Sequence, residues 1–304
     1  MNFISKKALF TIFIFIIFFS CRNDKTLPAL LEFNQLQLVE VPTSLNEISG
    51  MVFRNDMSVF AHNDGGQGAR IFEINLTEKK VNRNIKIYNA INFDWEDMAQ
   101  DDEYIYVSDS GNNLGQRTDL KIYKISKNDL EIQDSVAAEI IEFEYPDQEI
   151  FSPTEVHNFD CEAIISFENE LFLFSKNHLD QKTKLYSLSK NVGSHTANLL
   201  QEFNADGLIT GATISEDNNV ITLLGYHKEV VNQVEKFDPF IWLLYDFEEN
   251  KIFEGKTKKL DIEIKTQMEA ICFGNKKNLY FSHESETLGL PQFIYTVDLE
   301  PFLN

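Results

Sequence analysis

Three stretches decide how this chain is read: Glu96-Asp-Met-Ala99 followed by Ile105-Tyr-Val-Ser-Asp109, Glu162-Ala-Ile-Ile165 followed by Phe172-Leu-Phe-Ser-Lys176, and Glu269-Ala-Ile-Cys272 followed by Tyr280-Phe-Ser-His283. Each is a pair of short β-branched and aromatic runs separated by turn residues, the pattern of two adjacent strands. Ser49-Gly-Met-Val52 with Val59-Phe-Ala-His-Asn63, and Gly211-Ala-Thr-Ile214 with Thr222-Leu-Leu-Gly-Tyr226, extend the set. The spacing is nearly fixed: 13 residues from Ser49 to His62, 12 from Glu96 to Ser108, 13 from Glu162 to Ser175, 14 from Gly211 to Gly225 and 13 from Glu269 to Ser282. Self-similarity of this kind marks a repeat architecture.

Each unit continues with a third run: Arg70–Ile74, Lys121–Ile125, Lys184–Leu188, Ile241–Tyr245 and Phe293–Val297. A fourth run closes four of them: Ile85–Tyr88, Ile140–Phe143, Leu199–Phe203 and Leu260–Ile264. The fifth unit ends after three, and Leu36–Glu40 ahead of the first unit is one spare strand. Supplying it to the last unit closes a ring and hides two sheet edges. The expected fold is all-β, a five-bladed β-propeller closed by its N-terminal strand. Unit starts are 47, 66, 49 and 58 residues apart, and the longest insertion lies near Asp147–Asp160. A degenerate unit hidden there would make six blades, the alternative.

Working outward, residues 1–20 do not belong to that body. Lys6 and Lys7 precede an apolar run from Ala8 to Phe19, and Ser20-Cys21 follows. The run is short for a membrane span, which needs about 20 residues, and has the layout of a secretory signal. It resembles a bacterial lipoprotein signal, which implies an acyl chain on Cys21, a tether over residues 21–34 and a propeller over 35–304. The expected location is exported and membrane-anchored, on the periplasmic face or cell surface, with an uncleaved anchor helix as the other reading. Cys161 and Cys272 fall in different units and read as small buried residues rather than a disulfide framework.

Of the 304 residues, 48 are acidic and 27 are Lys or Arg, a net charge of −21. That excludes a nucleic-acid backbone as partner, since binding one needs a basic face. No nucleophile elbow, phosphate-binding glycine loop or zinc pattern is present.

In a propeller the innermost strands start around one channel, so equivalent first residues form a ring. Here the ring reads Ser49, Glu96, Glu162, Gly211 and Glu269, with Glu47 two residues before Ser49 on the same side of its strand. Glutamates about 6 Å apart at an effective dielectric of about 20 repel by about 3 kcal/mol per pair. Either their pKa values rise or a cation lies between them. Carboxylate and hydroxyl oxygens suit calcium, so the expected metal ligands are Ser49, Glu96, Glu162, Glu269 and Glu47; a water-filled channel is the alternative. The loops after each second strand border the ring and hold His62, Asn63, Asp64, Asn112, Asn113, Lys176, His178, His227 and His283. Asp94 and Trp95 join them, and together these eleven residues are the expected ligand rim. Asp97 and Asp109 are the candidate general bases if the protein is catalytic. Trp95 packing between blades, and Asp-Gly or Gly-Asn serving as ordinary turns, are the plainer readings.

The strings EISGM, HNDGG, DWEDMA, YVSDSGNN and EAI resemble an uncharacterised group of bacterial secreted propellers, of phytase-like or SdiA-regulated type. The likeness covers most of the mature chain and implies fold but no activity. A looser resemblance is to calcium-activated nucleotidases (apyrases), five-bladed propellers that hold calcium in the channel. It implies ligand roles for Ser49, Glu96, Glu162 and Glu269, while Gly211 departs and leaves a backbone carbonyl or Thr210 to serve. Three functions stand open: an exported, lipid-anchored protein binding a small-molecule or protein ligand on the acidic channel face with a central, structural calcium-like ion, a calcium-dependent phosphate-ester or phosphoanhydride hydrolase, and a scaffold for protein partners.

Overall fold

A computed structural model describes residues 29–33, 36–42, 45, 47–284 and 292–303. The signal segment and Cys21 lie outside the described residues. Those described form five sheets, one per blade, each built on four antiparallel strands. The four-strand cores begin with Ile48–Asn55, Trp95–Gln100, Cys161–Phe167, Leu208–Ile214 and Met268–Phe273, which pack against one another around the channel. Gln37–Glu40 pairs antiparallel with Phe293–Asp298, Leu38 opposite Tyr295, and supplies the fourth strand of the last blade. The ring therefore closes as the strand arithmetic requires. Residues 145–160 contain no strand, so the insertion is not a sixth blade.

Five apolar clusters fill the wedges between neighbouring blades. One joins Met51, Val59 and Ala61 of the first blade to Ala270, Cys272 and Ile294 of the last. Another joins Leu224 and Ile241 of the fourth to Ile271 and Phe281 of the fifth. Burying apolar area at roughly 25 cal/mol per Å² holds the blades face to face. Cys161 and Cys272 are both free and buried in these wedges.

Three blades carry a fifth, parallel strand that the sequence pattern does not announce. Ser135–Val136 lies on Lys80–Ile87, Gly193–Thr196 on Glu139–Glu144, and Ala29–Leu31 on Lys256–Ile262. Each is the chain on its way into the outer strand of the next blade. It covers the edge of the blade before. Ala29–Leu31 falls inside the expected tether, so part of that segment belongs to the propeller.

Every inner strand has an irregularity at the same height. The pairing skips Ser49, the Glu96-Asp97 pair, Glu162, Thr210 and the Glu269-Ala270 pair. Bulges re-aim side chains. The residues after the five ring positions are then Gly50, Asp97, Ala163, Gly211 and Ala270, four small residues and one acid. Asp97 is fully buried, and its carboxyl accepts from three backbone amides: Met98 at 2.7 Å, Ile164 of the third blade at 2.9 Å and Ala212 of the fourth at 3.2 Å. One side chain thus fastens three inner strands across the channel.

Leaving a buried donor unpaired costs about 1–3 kcal/mol. Asp97→Ala should therefore lower unfolding stability by roughly 3–6 kcal/mol, and Asp97→Asn by less, because one acceptor oxygen remains. Chemical denaturation measures this, and an Asp97→Ala variant as stable as wild type would contradict the three-strand tie.

Candidate functional site

The bulges turn the ring residues toward one end of the channel, and the loops entering the inner strands and leaving the second strands rise around them. They enclose a cavity of about 110 Å³ lined by Glu47, Ile48, Ser49, Asp64, Glu96, Asn113, Glu162, Lys176, Gln267, Glu269 and Glu284. Six of these are carboxylates and one is a lysine.

Lys176 reaches in from the end of the second strand of the third blade. Its ammonium is 2.5 Å from Glu162 Oε2, with both side chains buried. Burial works against the charged amine, but Glu162 and then Tyr226 and Glu269 outweigh it, so its pKa is held well above the ordinary lysine value. Glu96 is pushed well up by burial and then by Glu162, Asp64 and Asp94. Burial, opposed by Lys176 and by a 2.5 Å hydrogen bond from Gln267, leaves Glu269 at about 7. The expected repulsion is thus met in two ways: by a lysine inside the ring and by carboxyl groups that hold their protons.

A second grouping sits where the loops of the first two blades meet. One carboxylate oxygen each from Asp64, Asp94 and Glu96 lie within 4.8 Å of one another. Asp94 is pushed up to about 7 by burial and then by Asp64 and Asp160. Gly111 makes this approach possible: a Cβ there would come within 2.0 Å of Glu96 Oε1 and 2.5 Å of Asp94 Oδ2. The glycine in "SDSGNN" is therefore a close-approach residue as well as a turn residue.

The ring position of the fourth blade is Thr210, not Gly211. Ile209 pairs with Gly225 and Gly211 with Leu224, leaving Thr210 in the bulge. The spacing misled because this blade's hairpin is long, with Ile214 opposite Ile221, whereas Phe167 faces Glu170 in the third blade. Thr210 does not line the cavity; its hydroxyl donates to the Met268 carbonyl at 2.6 Å. Ser49 likewise donates to the Glu96 carbonyl at 2.6 Å while facing the cavity. These hydroxyls stitch one inner strand to the next.

The rim residues divide. Asp64, Asn113 and Lys176 line the cavity, and Asp94 stands beside it. Asn63 gives its amide to Gln67, and Asn112 gives its own to the Phe159 carbonyl and accepts from the Arg117 amide. His178 lies 3.0 Å from Asp160, and His227 sits out on the long hairpin, 3.6 Å from Glu229. His62 and His283 are not rim groups. Both are fully buried, one bonded to the Asn63 carbonyl and the other to the Tyr295 hydroxyl, and burial pulls each pKa to about 4. Trp95 is buried between His62 and Tyr123, a packing residue. Neither candidate base faces the cavity. Asp97 is spent on amides, and Asp109 is ion-paired to Arg117 at 3.0 Å and accepts from the Asp94 amide. Gln267 stands two residues before Glu269 as Glu47 does before Ser49, and Glu284 follows its blade's second strand as Asp64 does, so the repeat that placed Glu47 and Asp64 also marks these two cavity residues.

No protein-family model matches the chain, and no curated protein matches it in sequence. Solved structures match in shape. The native arabinanase of Bacillus subtilis aligns at a TM-score of 0.51 with 13% identity, covering 85% of this chain and 96% of that one. A pyrroloquinoline-quinone-bound aldose sugar dehydrogenase from Streptomyces coelicolor aligns at 0.45 with 9% identity over 89% and 99%. A member of the DUF4221 family from Bacteroides vulgatus aligns at 0.41 with 11% identity over 87% and 98%. At such identities the likeness is one of β-propeller fold.

The Glu269 carboxyl yields a signed pH prediction. Its folded pKa of about 7 exceeds its ordinary 4.5, so the stability it contributes is full below 4.5 and lost as pH rises through 7. In chelator-treated protein, Glu269→Gln should gain on wild type between pH 5 and pH 8 by up to about 3 kcal/mol. A difference in melting temperature that does not change with pH would contradict the protonated carboxyl.

Proposed function

We propose that this chain is a binding propeller whose channel mouth takes a calcium-like hard cation, and that it works outside the cytoplasm, held to a membrane by a lipid on Cys21. One observation carries the first part: six carboxylates against one lysine in a single cavity, with oxygens of Asp64, Asp94 and Glu96 within 4.8 Å of each other. An all-oxygen set without His or Cys suits a hard cation rather than zinc. Those three residues fit the ion better than the axial set of Glu96, Glu162 and Glu269, because Lys176 already answers Glu162. Ser49 and Glu47 border the same space. When bound, the ion would neutralise carboxylates that otherwise must hold protons. The resemblance to calcium-activated nucleotidases supports calcium as the first ion to try. The export and anchor reading rests on Lys6, Lys7, the apolar run and Ser20-Cys21.

The volume bears on what else is bound. Pockets that enclose a drug-sized ligand measure about 300–1,000 Å³, so about 110 Å³ admits an ion with a few waters or the tip of a larger ligand. A phosphoryl hydrolase would need a free carboxylate to activate water. Asp97 and Asp109 are both engaged elsewhere, and the cavity's one basic group among the described residues, Lys176, is taken by Glu162, so no free cation is left among them to clamp a phosphoryl group, which favours binding over hydrolysis.

Calcium titrated into chelator-treated protein by calorimetry should bind at one saturable site. It should stabilise the fold by about 2.7 kcal/mol at 100 times its dissociation constant. Asp94→Asn and Glu96→Gln should each weaken binding at least about tenfold, since a charged ligand is lost. No phosphate should be released from nucleotides or phytate, with or without calcium. Absence of binding heat together with an unmoved melting curve would reject the cation site.

A further inference from the structure

The insertion at residues 145–160 is taken up by neither the ring nor the cavity, yet it is held firmly. Thr154 gives its amide to the Leu114 carbonyl at 3.0 Å, and the Gln148 amide nitrogen donates to the Gly115 carbonyl at 2.8 Å. The His178 amide donates to the His157 carbonyl at 3.0 Å, and the buried His157 ring lies 3.1 Å from the Asn113 carbonyl. Three loops of the second and third blades are thereby fused into one surface beside the cavity, for Asn113 is a cavity residue.

That surface faces outward with Leu114, Ile150, Phe151, Val156 and Leu179, exposed from 41% at Leu114 to 72% at Ile150. Three large apolar side chains on the insertion, and one on each of the two loops hydrogen-bonded to it, are unlike the scattered singles of an ordinary surface. Long ordered loops without strands are commonly binding loops.

We infer that this face is a docking surface for a protein partner that presents an apolar patch bordered by lysine or arginine. Charge chooses the occupant. On the insertion Glu149 and Glu155 stand exposed, with Asp180 exposed beside them, while Asp147 is already paired with Lys184 and the fully buried Asp160 is held by His178 and the Asn112 amide. The nearby Arg117 is 8% exposed and spent on Asp109 and Asp119. A second copy of this chain, or an anionic lipid surface, would meet the same sign of charge at the same place. A basic, apolar protein face meets the opposite sign and covers the exposed side chains. The inference does not depend on a bound cation.

Two labelled amphipathic peptides serve as probes, one alternating Leu with Lys and one alternating Leu with Glu, read by fluorescence anisotropy at physiological salt. The Leu/Lys peptide should bind saturably and the Leu/Glu peptide should not. The double variant Phe151→Ser/Val156→Ser should weaken binding at least about tenfold with an unchanged melting temperature, its side chains being exposed. Ile132→Ser, at a 77% exposed site on the short helix Lys127–Ile132, should leave binding unchanged. Equal binding by the double variant and wild type would reduce the effect to general charge attraction and overturn the surface. So would sedimentation with phosphatidylcholine/phosphatidylglycerol vesicles that the double variant abolishes, or a self-association that it abolishes.

Discussion

Closing five blades into a ring forces their first strands to aim side chains at one small volume, and three of the five carry glutamate there. Like charges drawn together in a buried space must be neutralised, and much of the upper channel follows from that requirement. Lys176 is brought to 2.5 Å from Glu162, Gln267 holds Glu269, and burial keeps protons on Glu96 and Glu269. One layer below, Asp97 draws amides from three blades to a single carboxyl. The same axis therefore bears both the strain of the fold and one of its strongest ties.

The architecture was legible because strands announce themselves by alternation and turn residues, and because the repeat recurs five times. The missing fourth strand and the spare N-terminal one could be matched by counting alone. What escaped was whatever depends on pairing register or on short unpatterned chain. A bulge adds a residue without leaving a trace in composition, so Gly211 was aligned where Thr210 stands. Ser135–Val136 and Gly193–Thr196 are too short and polar to read as strands, yet they cover two blade edges.

The site was legible in part for the same reason. Ring glutamates repeat, and the repeat locates them. Lys176 was visible as a rim residue but not as the partner of Glu162, because its direction depends on the third blade's geometry. Histidines next to loops read as rim groups, whereas His62 and His283 turn into the blade wedges as neutral core side chains. Gly111 looked like a turn glycine and also clears space for Glu96 and Asp94.

The central claim is that the acidic mouth takes a hard cation at Asp64, Asp94 and Glu96 while Lys176 keeps Glu162. A crystal structure grown with calcium and phased to show anomalous scatterers tests it most directly. The account predicts one anomalous peak about 2.3–2.6 Å from carboxylate oxygens of those three residues, with the Lys176–Glu162 pair intact. Density for water alone at that place, or an ion on the axis between Glu96, Glu162 and Glu269 with Lys176 displaced, would contradict it.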